Sequence, residues 1–150
     1  KYVERGELRL CEGDFIKYED VYNYIYETFR KLDIVPLFIG YDRYSAIYLV
    51  DHLKKSGFKL DDVYQGDNLY GVIQETEGLI DEHKINIGDN QLLKSHFLNA
   101  AIKYDRERQR GRLVKINTKL HIDGVAALLD AMCVRQKYHD QIGLRLKNNR

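Results

Sequence analysis

Residues 34–41 read IVPLFIGY, a short and almost wholly apolar run. It has no polar alternation and is rich in residues that favour strands, which is how a strand buried on both faces reads. Pro36, the only proline in the chain, belongs near the start of such a strand, where a missing N–H is tolerated. Upstream, YEDVYNYIYETFRKLD (18–33) sets Val21, Ile25, Phe29 and Leu32 on one helical face, with Glu19 and Asp20 at its start and Arg30 and Lys31 at its end. The spacing and the match to the helix dipole predict a helix over about 19–33. Downstream, AIYLVDHLKKSG (46–57) repeats Ile47, Val50 and Leu53 at helical spacing and stops at Gly57. The local order is therefore helix, buried strand, helix.

The same pattern continues along the chain. KLDDVYQG (59–66) reads as a weaker strand, and a helix follows with Val72, Ile73, Thr76, Leu79 and Ile80 on one face. HKINIGD (83–89) alternates like a short strand, and NQLLKSHFLNAAIKY (90–104) reads as a helical turn or two passing into a strand near Ala100–Tyr104. A helix begins near Ile122, ELRL (7–10) has the look of a short strand, and the polar, basic GLRLKNNR (143–150) is expected to fray. Alternating helices and strands argue for an α/β layered domain with parallel strands in part of its sheet.

With 150 residues, 44% of them hydrophobic and 31% charged, the chain has the composition of one globular domain with a real core. Its 24 basic and 23 acidic side chains nearly cancel, so only clustering can point to an anionic partner. Clustering occurs in KYDRERQRGRLVKINTK (103–119), where Lys103, Arg106, Arg108, Arg110, Arg112, Lys115 and Lys119 outnumber Asp105 and Glu107 around Gly111. That is the composition of a basic hairpin or loop, either touching phosphates or simply solvated. Cys11 and Cys133 have no short metal-ligand spacing and fit free thiols in a reducing cytosol. His52, His83, His96 and His139 lack the pairing of a zinc motif. Tyr18, Tyr22 and Tyr26 line one helical side, a stacking or docking surface in one reading and, in the favoured one, a half-exposed amphipathic surface. No apolar run approaches the ~20 residues of a membrane span, and no signal peptide opens the chain. Its start, KYVERGELRL, lacks an initiator Met and reads as a piece of something longer.

Two carboxylates stand out. Asp42 follows directly on the buried strand, at the carboxyl end where ligands collect in α/β sheets; an Asp there can equally cap the helix that follows. Asp123 opens HIDGVAALLDA (121–131), where the dipole alone would stabilise it by about 0.3–1 kcal/mol. Val125, Ala126, Leu129 and Met132 form an apolar stripe behind it, and the small Ala126 and Ala127 would let the helix approach a sheet closely. If the two acids converge, their repulsion calls for a cation between them, and hard oxygen ligands select Mg²⁺ or Mn²⁺ over zinc. His121 stands two residues before Asp123, either orienting water or a phosphate or lying on the surface.

Taken in order, IGYDRYSAIYLVDHLKKSGF (39–58), YQG (64–66), NQLLKSHFLNAAIK (90–103) and HIDGVAALLDA resemble the C-terminal nuclease domain of the phage large terminase subunit. The resemblance covers nearly the whole chain. It implies a ribonuclease H-like layered mixed sheet flanked by helices, and a metal-dependent endonuclease that cuts concatemeric double-stranded DNA with two Mg²⁺ or Mn²⁺ ions. Asp42 would be the acid ending the second catalytic strand and Asp123 the acid on the last helix, both catalytic and both metal-holding. Arg106, Arg108, Arg110, Arg112, Lys115 and Lys119 would contact DNA, with His121 as an accessory. The implied partners are an N-terminal ATPase motor, the small terminase subunit and the portal, in the cytoplasm of an infected or lysogenic bacterium. The family's first metal-binding Asp belongs to an opening strand, and KYVERGELRLCEGD (1–14) offers no candidate for it; no GxxxxGK[ST] motif of the motor occurs either. The expectation is a single truncated nuclease domain over 1–150, lacking its first strand. The alternatives are another ribonuclease H-like nuclease, such as a junction resolvase, or a non-catalytic module that docks DNA or a portal.

Overall fold

The computed structural model describes residues 1–44 and 47–148. The elements run α1 (Tyr18–Lys31), β1 (Ile39–Asp42), α2 (Ile47–Lys55), β2 (Leu60–Val63), α3 (Tyr70–Asp81), α4 (Gln91–Leu98), β3 (Ala100–Asp105), β4 (Arg110–Lys115), α5 (Asp123–Lys137) and α6 (His139–Asn148). β1 and β2 pair in parallel from Ile39↔Leu60 to Asp42↔Val63, and α2 supplies the crossover that parallel neighbours need. β3 and β4 form an antiparallel hairpin from Ala100↔Lys115 to Asp105↔Arg110. The two pairs are tied together where the chain leaving β2 meets β4: Asn68 bridges Gly111, and the Gly111 N–H donates to the Asp67 carbonyl at 3.0 Å.

The core lies between α3, α5 and the strands, built from Val63, Leu69, Val72, Ile73, Leu129, Met132 and Val134. The expected inner face of α3 is the one buried, through Val72, Ile73 and Thr76. The Thr76 hydroxyl donates to the Val72 carbonyl at 2.7 Å, which satisfies the one polar group that this face buries.

Several short elements differ from the sequence reading, each because a local hydrogen bond competes with strand pairing. β1 begins only at Ile39, three residues after Pro36, and is half-buried throughout. Before it, the Ile34 N–H closes the end of α1 by donating to the Phe29 carbonyl at 2.8 Å, and Val35 is 82% exposed. ELRL is not a strand: the Glu7 carboxylate accepts the N–H groups of Gln91 and Leu92, each at 3.0 Å, and so satisfies the orphan donors that open α4. The Asn90 side chain completes that cap by accepting from Leu93 at 2.8 Å. HKINIGD forms turns, since His83 has φ of +56° and the Lys84 N–H bonds back to the Leu79 carbonyl at 2.8 Å. In the basic tail, α6 runs as far as Asn148; residues 149–150 lie outside the described residues, as does Ala46 of the predicted second helix.

Candidate active site

Side chains alternate along a strand, so Gly40 and Asp42 share one face of β1. That face meets α5. A Cβ placed on Gly40 would lie 2.5 Å from the Asp130 carbonyl oxygen and 2.9 Å from Val134 Cγ2, so strand and helix backbones touch because Gly40 has no side chain. On β2 the register partners of Gly40 and Asp42 are Asp61 and Val63, which face α5 too. Lys137 Nζ pairs with Asp61 at 2.6 Å, Val63 enters the core, and Gln65, two residues on, donates from Nε2 to Asp130 Oδ1 at 2.8 Å. Tyr138 stacks on Phe38 with ring centroids 4.0 Å apart. α5 therefore runs antiparallel to the strands, its C-terminal end over their starts and Asp130 over their ends.

Asp130 is 6% exposed. Burial, above all, and then the charge of Asp42 push its carboxyl up to about 6, against the opposing hydrogen bond from Gln65. None of these influences is a cation. Asp42 itself accepts the Tyr44 N–H on Oδ1 at 3.1 Å, the local side-chain-to-backbone turn that an Asp favours. The charge of Asp42 reaches Asp130 at the carboxyl end of β1, and two carboxylates near one another are the chemistry that a hard divalent cation relieves, so the pair would suit Mg²⁺ or Mn²⁺. Among the described residues no group of three or more His, Cys, Asp or Glu is assembled to hold a metal, so this pair alone would supply only part of a ligand shell. Cys133 adds no ligand in its thiol form: burial, followed by Asp130, pushes it up to about 11.

Asp123 opens α5 seven residues before Asp130, about 10 Å along nearly the same side of the helix. Its side chain is 77% exposed, and its ion-pair neighbour is the equally exposed His121, with Nδ1 3.5 Å away. The N-terminus of α5 is capped from α4, where His96 Nδ1 accepts the Gly124 N–H at 3.0 Å; an imidazole has taken the role that a first-turn acid could fill. Ala127, between the two acids on that helical side, is exposed, and α5 approaches the sheet closely at Gly40 of the strand. The structure thus couples Asp42 to Asp130, a residue that sequence reasoning passed over. The available signal was a lone charge inside the apolar run 125–134, one heptad after Asp123.

All six basic residues expected to contact DNA are exposed. Arg110 and Arg112 share the outer face of β4, since the intervening Gly111 is buried and Leu113 packs on the core. Arg106 and Arg108 occupy the hairpin tip, Lys115 ends β4 and Lys119 follows in the next loop. Arg112 lies 3.6 Å from Asp67, and Arg108 lies 3.9 Å from Asp105. A groove of about 450 Å³ runs from Gln65 past Asp67 to Arg110 and Arg112. Since Gln65 also holds Asp130, the acid pair and the basic strand share a wall.

The raised Asp130 carboxyl has a consequence for stability. An unfolded Asp releases its proton near pH 3.9, whereas the folded one keeps it to about 6. Between those values the native state holds the extra proton, so stability falls as pH rises through that window and is level above it. The full difference amounts to about 2–3 kcal/mol. Asp130→Asn keeps the acceptor for Gln65 and removes the charge, so urea unfolding should show it about 2 kcal/mol more stable than the parent near pH 8 and equal to it near pH 4. Equal stability at both would mean that Asp130 ionises without penalty.

The family model for the terminase large subunit, endonuclease domain, matches residues 1–138. Among solved structures, the crystal structure of the HK97 bacteriophage large terminase is similar, with a TM-score of 0.69 and 21% sequence identity over 87% of this chain and 27% of that one. The chain thus spans about a quarter of that protein's length, and at this identity the likeness is one of fold. Comparison with curated proteins finds no match.

Proposed function

Because the chain belongs to the family of terminase large subunit endonuclease domains, we propose that the edge where β1 meets α5 hydrolyses the backbone of concatemeric double-stranded DNA with divalent metal ions. The observation that carries this reading is the seating of Asp130 of α5 against the strand that ends in Asp42, close enough for the charge of Asp42 to raise the Asp130 carboxyl. Asp42 and Asp123 are the acids implied by the family pattern, and Asp130 stands beside the first of them. When bound, a pair of Mg²⁺ or Mn²⁺ ions supplies an activated water and stabilises the departing 3′ oxygen. Asp42, fixed at a strand end, and the acids of α5 would hold the ions, while Gln65 orients Asp130. Arg106, Arg108, Arg110, Arg112, Lys115 and Lys119 would hold backbone phosphates, which position DNA without reading its sequence. His121 would orient a phosphate or water beside Asp123. The parallel pair under α5, joined through Asn68 to an antiparallel hairpin, supports a ribonuclease H-like layering. The reading extends to an ATPase motor, small subunit and portal as partners in the host cytoplasm; no helix among the described residues is long and apolar enough to cross a membrane.

The test is plasmid nicking by the protein at its full natural length, in Mn²⁺ or Mg²⁺ and again with EDTA. Nicking should require metal and be lost in Asp123→Ala and weakened in Asp130→Ala. Arg110→Glu combined with Arg112→Glu should weaken duplex binding and reduce its log–log salt slope by about 2. An absence of nicking from folded protein would favour a docking module, and a preference for branched over linear duplex would favour a resolvase.

A further inference from the structure

We propose that Tyr64 and Tyr44 form a stacking platform for an unpaired nucleobase beside the acid edge, so that DNA is engaged there with its strand locally unpaired. This rests on the nuclease reading above. Tyr64 directly follows the last residue of β2, and Tyr44 lies two residues beyond the last of β1. Both rings emerge at the strand ends that carry Asp42. They are 48% and 74% exposed and meet edge to face, with centroids 6.5 Å apart and planes at 68°.

The Tyr64 ring is seated, not loose. A Cβ on Gly66 would overlap Tyr64 Cε1 and lie 2.6 Å from Cζ, so the ring rests on backbone that is bare because residue 66 is glycine. An aromatic face held in place loses little freedom on binding, and base stacking on such a face is tolerant of sequence. Between Tyr64 and Gly66, Gln65 turns to Asp130, so the stacking surface and an acid of the site hang on consecutive residues. The groove lined by Tyr64 continues to Arg110 and Arg112, where the phosphates of the same strand can be held. Other aromatic contacts have different work: Tyr18–Tyr48 and Tyr22–His52 pack α1 against α2, whereas Tyr44–Tyr64 joins two loops at the site. Bases inside a duplex are already stacked, so only an unpaired base can use this surface.

The experiment measures fluorescence anisotropy of a labelled short oligothymidylate and of a duplex of equal length, in EDTA, with the protein at its full natural length. Tyr64→Ala should weaken oligothymidylate binding about tenfold and leave duplex binding within about twofold, with Tyr64→Phe matching the parent. Gly66→Ala, which displaces the ring, should behave like Tyr64→Ala; circular dichroism verifies that each variant is folded. A parent that does not bind oligothymidylate, or a Tyr64→Ala variant that loses nothing or loses equally on both probes, overturns the platform. Because binding is read without metal, a platform that fails in a protein that still nicks plasmid leaves the nuclease reading standing. Tyr64-dependent binding in a protein that never nicks would instead remove the nuclease reading.

Discussion

Asp42→Ala is expected to lower metal-dependent plasmid nicking by a factor of about 10³ or more, because a ligand that helps hold catalytic metal supports several kcal/mol of transition-state stabilisation. The fold should survive. Asp42 ends a strand and lies outside the core cluster; moreover, removing its charge relieves Asp130, whose carboxyl that charge raises. The unfolding midpoint of the variant should therefore equal or exceed that of the parent above about pH 6. Asp42→Asn distinguishes the two roles the residue can have. The amide still accepts the Tyr44 N–H that Oδ1 now accepts, so a purely turn-forming Asp42 would leave Asp42→Asn as active as the parent. A metal-holding Asp42 leaves both variants inactive, and nicking at the parental rate by Asp42→Asn would remove it from the catalytic set.

Gly40→Ala should be the most destabilising single-methyl change in the domain, costing about 3 kcal/mol or more in urea unfolding. The new Cβ would meet the backbone carbonyl of Asp130 at 2.5 Å and its carbon at 2.8 Å. Backbone cannot rotate aside as a side-chain end can, so α5 must lift from β1. Lifting it also carries Asp130 away from Asp42, so nicking by the remaining folded fraction should fall as well. Gly78→Ala is the control: Gly78 sits in α3 with nothing within 4 Å of an added Cβ, and the substitution should stabilise by about 0.5–1 kcal/mol. Similar stability for Gly40→Ala and the parent would refute the backbone contact as the element that seats α5.

Elements with a long periodic pattern are legible in the residues themselves. α1, α3 and the hairpin following α4 form where the spacing of Val21, Ile25 and Phe29, of Val72, Ile73 and Thr76, and of the basic run around Gly111 puts them, because an amphipathic face many residues long outweighs local alternatives. ELRL and HKINIGD go the other way. Four to seven residues carry too little pattern to outweigh one carboxylate turned onto a helix start, or one residue with positive φ after a helix end. The candidate acids divide similarly: Asp42 can be picked out in the sequence as the acid closing an apolar strand and Asp123 as one the family resemblance implies, whereas Asp130, which the structure sets against β1, looks like a blemish in an apolar helix.

By itself, then, the sequence determined the α/β class, the order of its principal elements and the family, since these rest on periodicity and on short runs of residues whose chemistry is read one after another. Tertiary structure alone decided which acid of α5 lies within reach of the Asp42 charge. That choice depends on how far α5 slides along β1 before the bare backbone of Gly40 meets the Asp130 carbonyl. A contact between residues ninety positions apart leaves no trace in the spacing of either segment.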